Sequence, residues 1–197
     1  GTIYIIDNNV VQDSNAIYVH YLAENISKYY DVIELVNTKF TWSLRSASND
    51  GLYIQMKKTT FDALYSEQMN IKINIHNVQI PNYTARNVIG QVKAKKKAKG
   101  TIMLTAHYDH LGRMGCETYF PGANDNASGM AGTIEAARVL SKYSFENSIL
   151  YVGLAGEEQG LFGGKGLAKH AQDQGWEIIG ILNNDMIGNI KGVDSVI

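Results

Sequence analysis

The chain has 197 residues, 45% of them apolar, and a formal net charge of −1. That apolar share is enough for a packed core and excludes a disordered composition. The near-neutral balance excludes a global field that would draw nucleic acid or an anionic membrane, the single cysteine, Cys116, excludes an intrachain disulfide, and no apolar stretch reaches the roughly 18 residues a membrane-spanning helix needs.

The chain opens on Gly1-Thr2-Ile3-Tyr4-Ile5-Ile6, with no basic segment ahead of it. This reads as a strand entered part-way, so a fragment or processed form of a longer chain is expected. Ile17, Leu22 and Ile26 mark a helix, and Leu52-Tyr53-Ile54-Gln55-Met56 a short strand. Thr59-Thr60 then precede Phe61, Leu64 and Tyr65 at helical spacing, and Ile71-Lys72-Ile73-Asn74-Ile75 alternates as a half-exposed strand would. Residues 1–80 therefore read as a small α+β region, and Pro81 marks the boundary to a second domain over 81–197.

In the second domain, residues 87–92 and 101–106 read as strands. The five lysines of Lys93-Ala94-Lys95-Lys96-Lys97-Ala98-Lys99-Gly100 read as a solvated hairpin loop between them, because isolated charge runs usually face water. A loop through Asn126 leads to a helix over about 128–142, carried by Met130, Ile134, Ala137 and Leu140. A buried strand over 149–154, a helix near 160–174 and a strand over 178–182 follow. Strands alternating with helices predict an α/β fold, with a mostly parallel sheet and right-handed crossovers.

Ligands bind outside the carboxyl ends of strands in such sheets. His107, in His107-Tyr108-Asp109-His110, follows strand 101–106, and Glu157-Glu158 follow strand 149–154. Asp185 follows strand 178–182, and Asp125 lies in the glycine-bounded loop entering the helix at Ser128. Each residue alone has a plain role open to it, as a cap, a turn former or a solvated charge. Together they predict one cluster on one sheet edge. Imidazole plus carboxylates, without thiolate, is the ligand chemistry of a catalytic zinc site with open positions. Asp125 has two oxygens with which to bridge two metals. Of Glu157 and Glu158, one can bind metal while the other acts as general base. Asp109 is placed to accept the His107 ring N–H not used for metal.

These residues resemble the M28 family of zinc-dependent exopeptidases, over roughly residues 85–190. The resemblance is carried by Ala106-His107-Tyr108-Asp109-His110-Leu111, Gly122-Ala123-Asn124-Asp125-Asn126-Ala127-Ser128-Gly129, Glu157-Glu158-Gln159-Gly160-Leu161 and Asn184-Asp185-Met186-Ile187-Gly188. It implies a mixed sheet sandwiched by helices and two zinc ions. His107 and Asp185 would bind one ion, Glu158 the other, and Asp125 would bridge them, with Glu157 as general base. The implied activity is that of a metallo-aminopeptidase, releasing N-terminal residues from peptides through attack by metal-bound hydroxide. An exported location, periplasmic or secreted, is implied by the resemblance alone. Residues 1–80 resemble the end of a protease-associated domain, through residues 36–61 and the Thr41-Trp42-Ser43 within them.

The family carries a further histidine ligand well downstream of the Asp185 block, and none of His20, His76, His110 and His170 stands at a matching position. A piece of a longer chain is the simplest expectation. A mononuclear-zinc glutaminyl cyclase or carboxypeptidase on the same scaffold, or a catalytically incomplete binding module, are the alternatives. His110 is expected to play a polar role beside the site, and His170 to be exposed or capping. Asn25-Ile26-Ser27, Asn82-Tyr83-Thr84 and Asn126-Ala127-Ser128 match the glycosylation pattern, and are read as coincidence because the last lies in the metal loop.

Overall fold

The structure is a computed structural model that describes residues 2–10, 13–37, 50–66, 72–75, 80–96 and 98–188. The chain forms two compact units, Gly1–Pro81 and Asn82–Ile197. No described helix is long and apolar enough to cross a membrane.

In the first unit, β1 (Ile3–Asp7), β2 (Asp31–Val36) and β3 (Tyr53–Lys57) form a parallel sheet in the order β1-β2-β3. Helix α1 (Asp13–Ile26) connects β1 to β2, and α2 (Lys58–Ser66) follows β3. The central strand β2 is almost wholly buried. It was not legible as a strand because parallel strands covered on both faces read as continuous apolar runs, here interrupted by a charge, rather than as alternation. That charge, Glu34, is fully buried, and Gln55 stands beside it in register on β3. Its carboxylate accepts hydrogen bonds from Asn8 Nδ2 (2.8 Å), Gln55 Nε2 (3.0 Å) and the Tyr53 hydroxyl, with His20 Nδ1 at 3.1 Å. Burial alone would raise the Glu34 pKa, but the donors Gln55, Tyr53 and His20 outweigh it and hold the carboxyl below the usual glutamate range.

The strand expected over 71–75 is not formed across its described part, residues 72–75. Ile73 and Ile75 instead line a groove with Ile3, Ile33 and Ile54. Alternation selects a face for the side chains, but a strand also needs a backbone partner in register, and among the described residues none pairs with 72–75. Thr41-Trp42-Ser43, Ile71 and His76 lie outside the described residues.

In the second unit, β4 (Val88–Val92), β5 (Thr101–His107), β8 (Ser148–Leu154) and β9 (Ile178–Asn183) form a mixed sheet in the order β4-β8-β5-β9. Strands β5, β8 and β9 are mutually parallel, and β4 runs antiparallel to β8. The expected hairpin between 87–92 and 101–106 is therefore corrected: β8 lies between those strands, and the lysine-rich segment connects strands that do not pair. Turn composition is a local signal, whereas strand order is set by packing at long sequence range. A short hairpin, β6 (Gly112–Met114) with β7 (Thr118–Phe120), occupies part of the segment read as loop, with exposed Cys116 at its turn.

Helix α3 (Gly129–Leu140) links β5 to β8, and α4 (Phe162–Asp173) links β8 to β9. The first crossover moves toward one sheet edge and the second moves back past β5. Crossovers of one hand running in opposite directions place their helices on opposite faces. The side chains follow this alternation. Leu104, Ile149 and Tyr151 pack with Ala136, Ala137 and Leu140 of α3. Met103, Leu150 and Val152 face the other way and pack with Leu167 of α4 and with Trp176. Each such buried aliphatic contributes about 1.5–3 kcal/mol. The sheet is thus sandwiched by helices, and its connection reverses direction at the carboxyl ends of β5, β8 and β9, where a ligand crevice is expected in this class.

Candidate metal centre

All six chemistry-bearing residues of the sequence reading lie at that edge. His107 is the last residue of β5 and is 3% exposed. The Asp109 backbone carbonyl lies 3.0 Å from its Nδ1. A carbonyl only accepts, so Nδ1 carries the proton and donates, and in the neutral ring Nε2 offers a lone pair. Nε2 faces Asp125 Oδ1 at 3.1 Å and Asp185 Oδ1 at 3.5 Å. Three electron-rich atoms so close require a positive charge among them, a proton on Nε2 or a cation. Zinc bonds of about 2.0–2.2 Å to nitrogen and oxygen set neighbouring ligand atoms roughly 3–3.5 Å apart. The donor set and its spacing fit such an ion.

Asp109 meets the His107 ring through its backbone carbonyl rather than through its carboxylate. Its carboxylate lies 3.8 Å from His107 Nδ1, while its carbonyl is the ring's partner. The carboxylate instead accepts the backbone N–H groups of Glu157 (3.1 Å) and Glu158 (3.2 Å). Asp109 therefore ties the histidine loop to the paired-glutamate turn. That turn begins at Gly156, whose φ of +66° is open to glycine at little cost, and closes through Gly160 N–H and Leu161 N–H donating to the Glu157 carbonyl. Asn87 anchors its base, accepting from Ala155 N–H at 3.1 Å and donating to the Gly163 carbonyl at 2.8 Å.

Ligand atoms of Glu157, Glu158 and His107 lie within 4.8 Å of one another. Burial pushes the Glu157 carboxyl up; His107 opposes this, and the negative charges of Glu158, Asp185 and Asp109 add to it.

The asparagines around the acids have a task that the local sequence does not show. Asn126 is 2% exposed; its Oδ1 accepts from Gly129 N–H (3.0 Å) and Met186 N–H (3.2 Å), and its Nδ2 donates to the Asn184 carbonyl (3.0 Å). Asn184 in turn donates to Thr133 Oγ1 (2.9 Å), and Thr105 donates to Asn183 Oδ1 (2.7 Å). These bonds join the Asp125 turn to the Asp185 loop and leave the two aspartates facing His107. The available signal was an asparagine directly beside each aspartate. Buried in this network, the Asn126 amide is closed to glycan attachment. His170 packs edge-on against Trp176, at a centroid distance of 5.3 Å.

Gly129 sits at the junction of the two loops. A Cβ there would lie 2.3 Å from both Asn126 Oδ1 and the Asn184 carbonyl oxygen. Gly129→Ala is expected to destabilise the protein by about 1–3 kcal/mol, as overpacking of a tight site does, and to weaken zinc binding at His107. Chemical denaturation and zinc titration check this; unchanged values in both would show that the loops are not coupled there.

The model of Peptidase family M28 matches residues 87–195. A "Probable zinc metalloprotease" of Pyrenophora teres f. teres is 29% identical over 182 residues, covering 86% of this chain and 38% of that protein. Another so named, from Pyricularia oryzae, is 36% identical over 108 residues, 54% of this chain and 22% of that protein. Among solved structures, an aminopeptidase from Aneurinibacillus sp. strain AM-1 superposes with a TM-score of 0.62 and 25% identity, covering 98% of this chain and 47% of that one. BSAP, a zinc aminopeptidase from Bacillus subtilis, gives a TM-score of 0.62 and 25% identity, covering 95% of this chain and 44% of its own. The chain thus spans less than half the length of these relatives. With more than half of its residues matched to the family model, and with the acids and imidazole of that stretch gathered at one sheet edge, the chain belongs to peptidase family M28.

Proposed function

We propose that the protein of which this chain forms part is a zinc-dependent aminopeptidase, and that His107, Asp125, Glu158 and Asp185 hold its metal, two ions in the complete site. The observation that carries this reading is the buried His107, whose Nε2 faces two carboxylates from two separate loops. The names of the relatives and solved neighbours support zinc and the release of N-terminal residues.

When bound, zinc supplies Lewis-acid polarisation of a scissile carbonyl and acidifies water. The chain's own residues do the rest. Asp109 fixes the histidine tautomer through its carbonyl and aims the paired-glutamate turn through its carboxylate. Glu157 takes the proton of the attacking water and delivers it to the leaving amine. Asp125 presents one oxygen toward His107 and the other toward His110, which suits a bridging ligand. We read residues 1–80 as a non-catalytic unit like the end of a protease-associated domain, and place the protein outside the cytoplasm; both readings rest on family resemblance, and cell fractionation tests the second.

Aminoacyl anilides with a free α-amino group are the diagnostic substrates. The protein is expected to hydrolyse them, to lose this activity with a chelator and to regain it with zinc. Activity untouched by chelation, or cleavage only of N-blocked peptides, would contradict the proposal, and ring closure of N-terminal glutamine instead of hydrolysis would redirect it to cyclisation.

A further inference from the structure

One side chain from outside the paired-glutamate turn holds both of its ends. The β4–β8 ladder stops where Val88 stands opposite Gly153, and Asn87, one residue before it, continues the pairing through its side chain. Oδ1 accepts from Ala155 N–H at 3.1 Å, and Nδ2 donates to the Gly163 carbonyl at 2.8 Å. A backbone N–H only donates and a carbonyl only accepts, so the amide has one orientation here and both of its functions are used. Residues 80–86 and 88–91 are exposed, whereas Asn87 between them is half-buried. The fit is equally tight from α4. A Cβ on Gly163, in the first turn of that helix, would lie 2.2 Å from the Ala155 carbonyl oxygen and 2.6 Å from Asn87 Oδ1. Between the clamped ends, Leu161 holds a φ of +61°, in the left-handed region. A residue other than glycine persists there only where its surroundings hold it in place.

We propose that Asn87 is a positioning residue for Glu157, acting on the reaction through the turn and touching neither substrate nor metal. The proposal rests on the reading of Glu157 as general base given above. Asp109 holds the middle of the turn through the backbone N–H groups of Glu157 and Glu158, and Asn87 holds its two ends. The two glutamates depend on this frame unequally. A carboxylate that binds metal is restrained by the ion as well as by the backbone. A base has only the backbone and its packing to hold it, and a misplacement of about 1 Å can cost about a hundredfold in rate. Loosening the ends of the turn therefore falls on Glu157 first. Turnover drops while metal and substrate still bind.

The competing role is purely structural, with Asn87 closing the end of the β4–β8 ladder and doing nothing for the reaction. Asn87→Ala removes both bonds, and Asn87→Asp keeps the acceptor for Ala155 N–H but loses the donor to Gly163. The full-length protein and both variants would be compared in zinc content, in hydrolysis of an aminoacyl anilide at saturating zinc, and in hydrogen exchange of the Ala155 amide, with folding checked by circular dichroism. In Asn87→Ala, kcat is expected to fall by about 10–100-fold, the range that outer supporting bonds contribute, with KM and zinc content unchanged and the Ala155 amide exchanging faster. Asn87→Asp should lie between that variant and the parent in kcat, with the Ala155 amide still protected. An undiminished kcat in Asn87→Ala overturns the proposal. So does a loss carried by KM, or one matched by loss of zinc, because the base is then not what moved. Should Asn87→Ala fail to fold, Asn87→Asp decides alone, and a kcat equal to the parent's overturns the proposal. A parent that does not hydrolyse the anilide removes the aminopeptidase reading and this role together, whereas an active parent with both variants unaffected removes this role only.

Discussion

Glu157→Gln is expected to reduce peptide hydrolysis by about 10²–10⁴-fold, the range that a positioned general base contributes. At about 1.4 kcal/mol per tenfold change this corresponds to roughly 3–5 kcal/mol of transition-state stabilisation. The substitution keeps the size of the side chain and leaves the backbone N–H at 157 bonded to Asp109, so the turn persists and zinc remains bound. Glu158→Ala should do the reverse in order: zinc affinity falls first, and turnover falls because metal is lost. Comparing zinc content with turnover in the two variants separates the roles of these adjacent carboxylates. Undiminished hydrolysis in Glu157→Gln would remove the base assignment, and undiminished zinc affinity in Glu158→Ala would remove that residue from the ligand set.

The largest effect on folding is expected away from the metal centre. Glu34→Ala should destabilise the first unit by about 3–5 kcal/mol, the cost of removing one partner from a buried charged network. The deletion leaves donors on Asn8, His20, Tyr53 and Gln55 facing a void in place of an acceptor. Against a domain stability of about 5–15 kcal/mol this is a large fraction. Urea unfolding of the two proteins measures it, and a loss below about 1 kcal/mol would refute the account of the network. The pH dependence has a definite sign. The folded-state pKa of Glu34 is lowered, so its ionised form contributes stability that is present above the unfolded-state pKa. That stability is lost as pH falls through the lower folded-state value. Glu34→Gln, which cannot titrate, should show less of this acid loss than the parent.

The residues proposed to hold metal were legible because each ends or follows a strong local signal. His107, Glu157 and Asp185 come at or just past apolar runs that form β5, β8 and β9, and parallel strands carry such ends to one edge. Features set by partners distant in sequence were not legible. Strand β4 pairs with β8 and not with β5, although the lysine-rich segment between β4 and β5 has the look of a turn. The buried Glu34 concealed β2, because a charge within an apolar run argues locally against burial and only its four donors explain it. Asp109 sat at the right place for a partner of His107, but sequence spacing does not tell a carbonyl from a carboxylate as the acceptor. The closeness of His110 to Glu158 joins residues 48 positions apart, which no local pattern encodes.

Zinc per chain is the most direct test of the metal centre, determined by elemental analysis after dialysis for the protein and for His107→Ala. The account predicts zinc retained by the protein and lost from the variant, whose fold should persist by circular dichroism. A protein that holds no zinc at neutral pH, or a His107→Ala variant that holds as much as its parent, would contradict the claim that His107 and the surrounding carboxylates form the site.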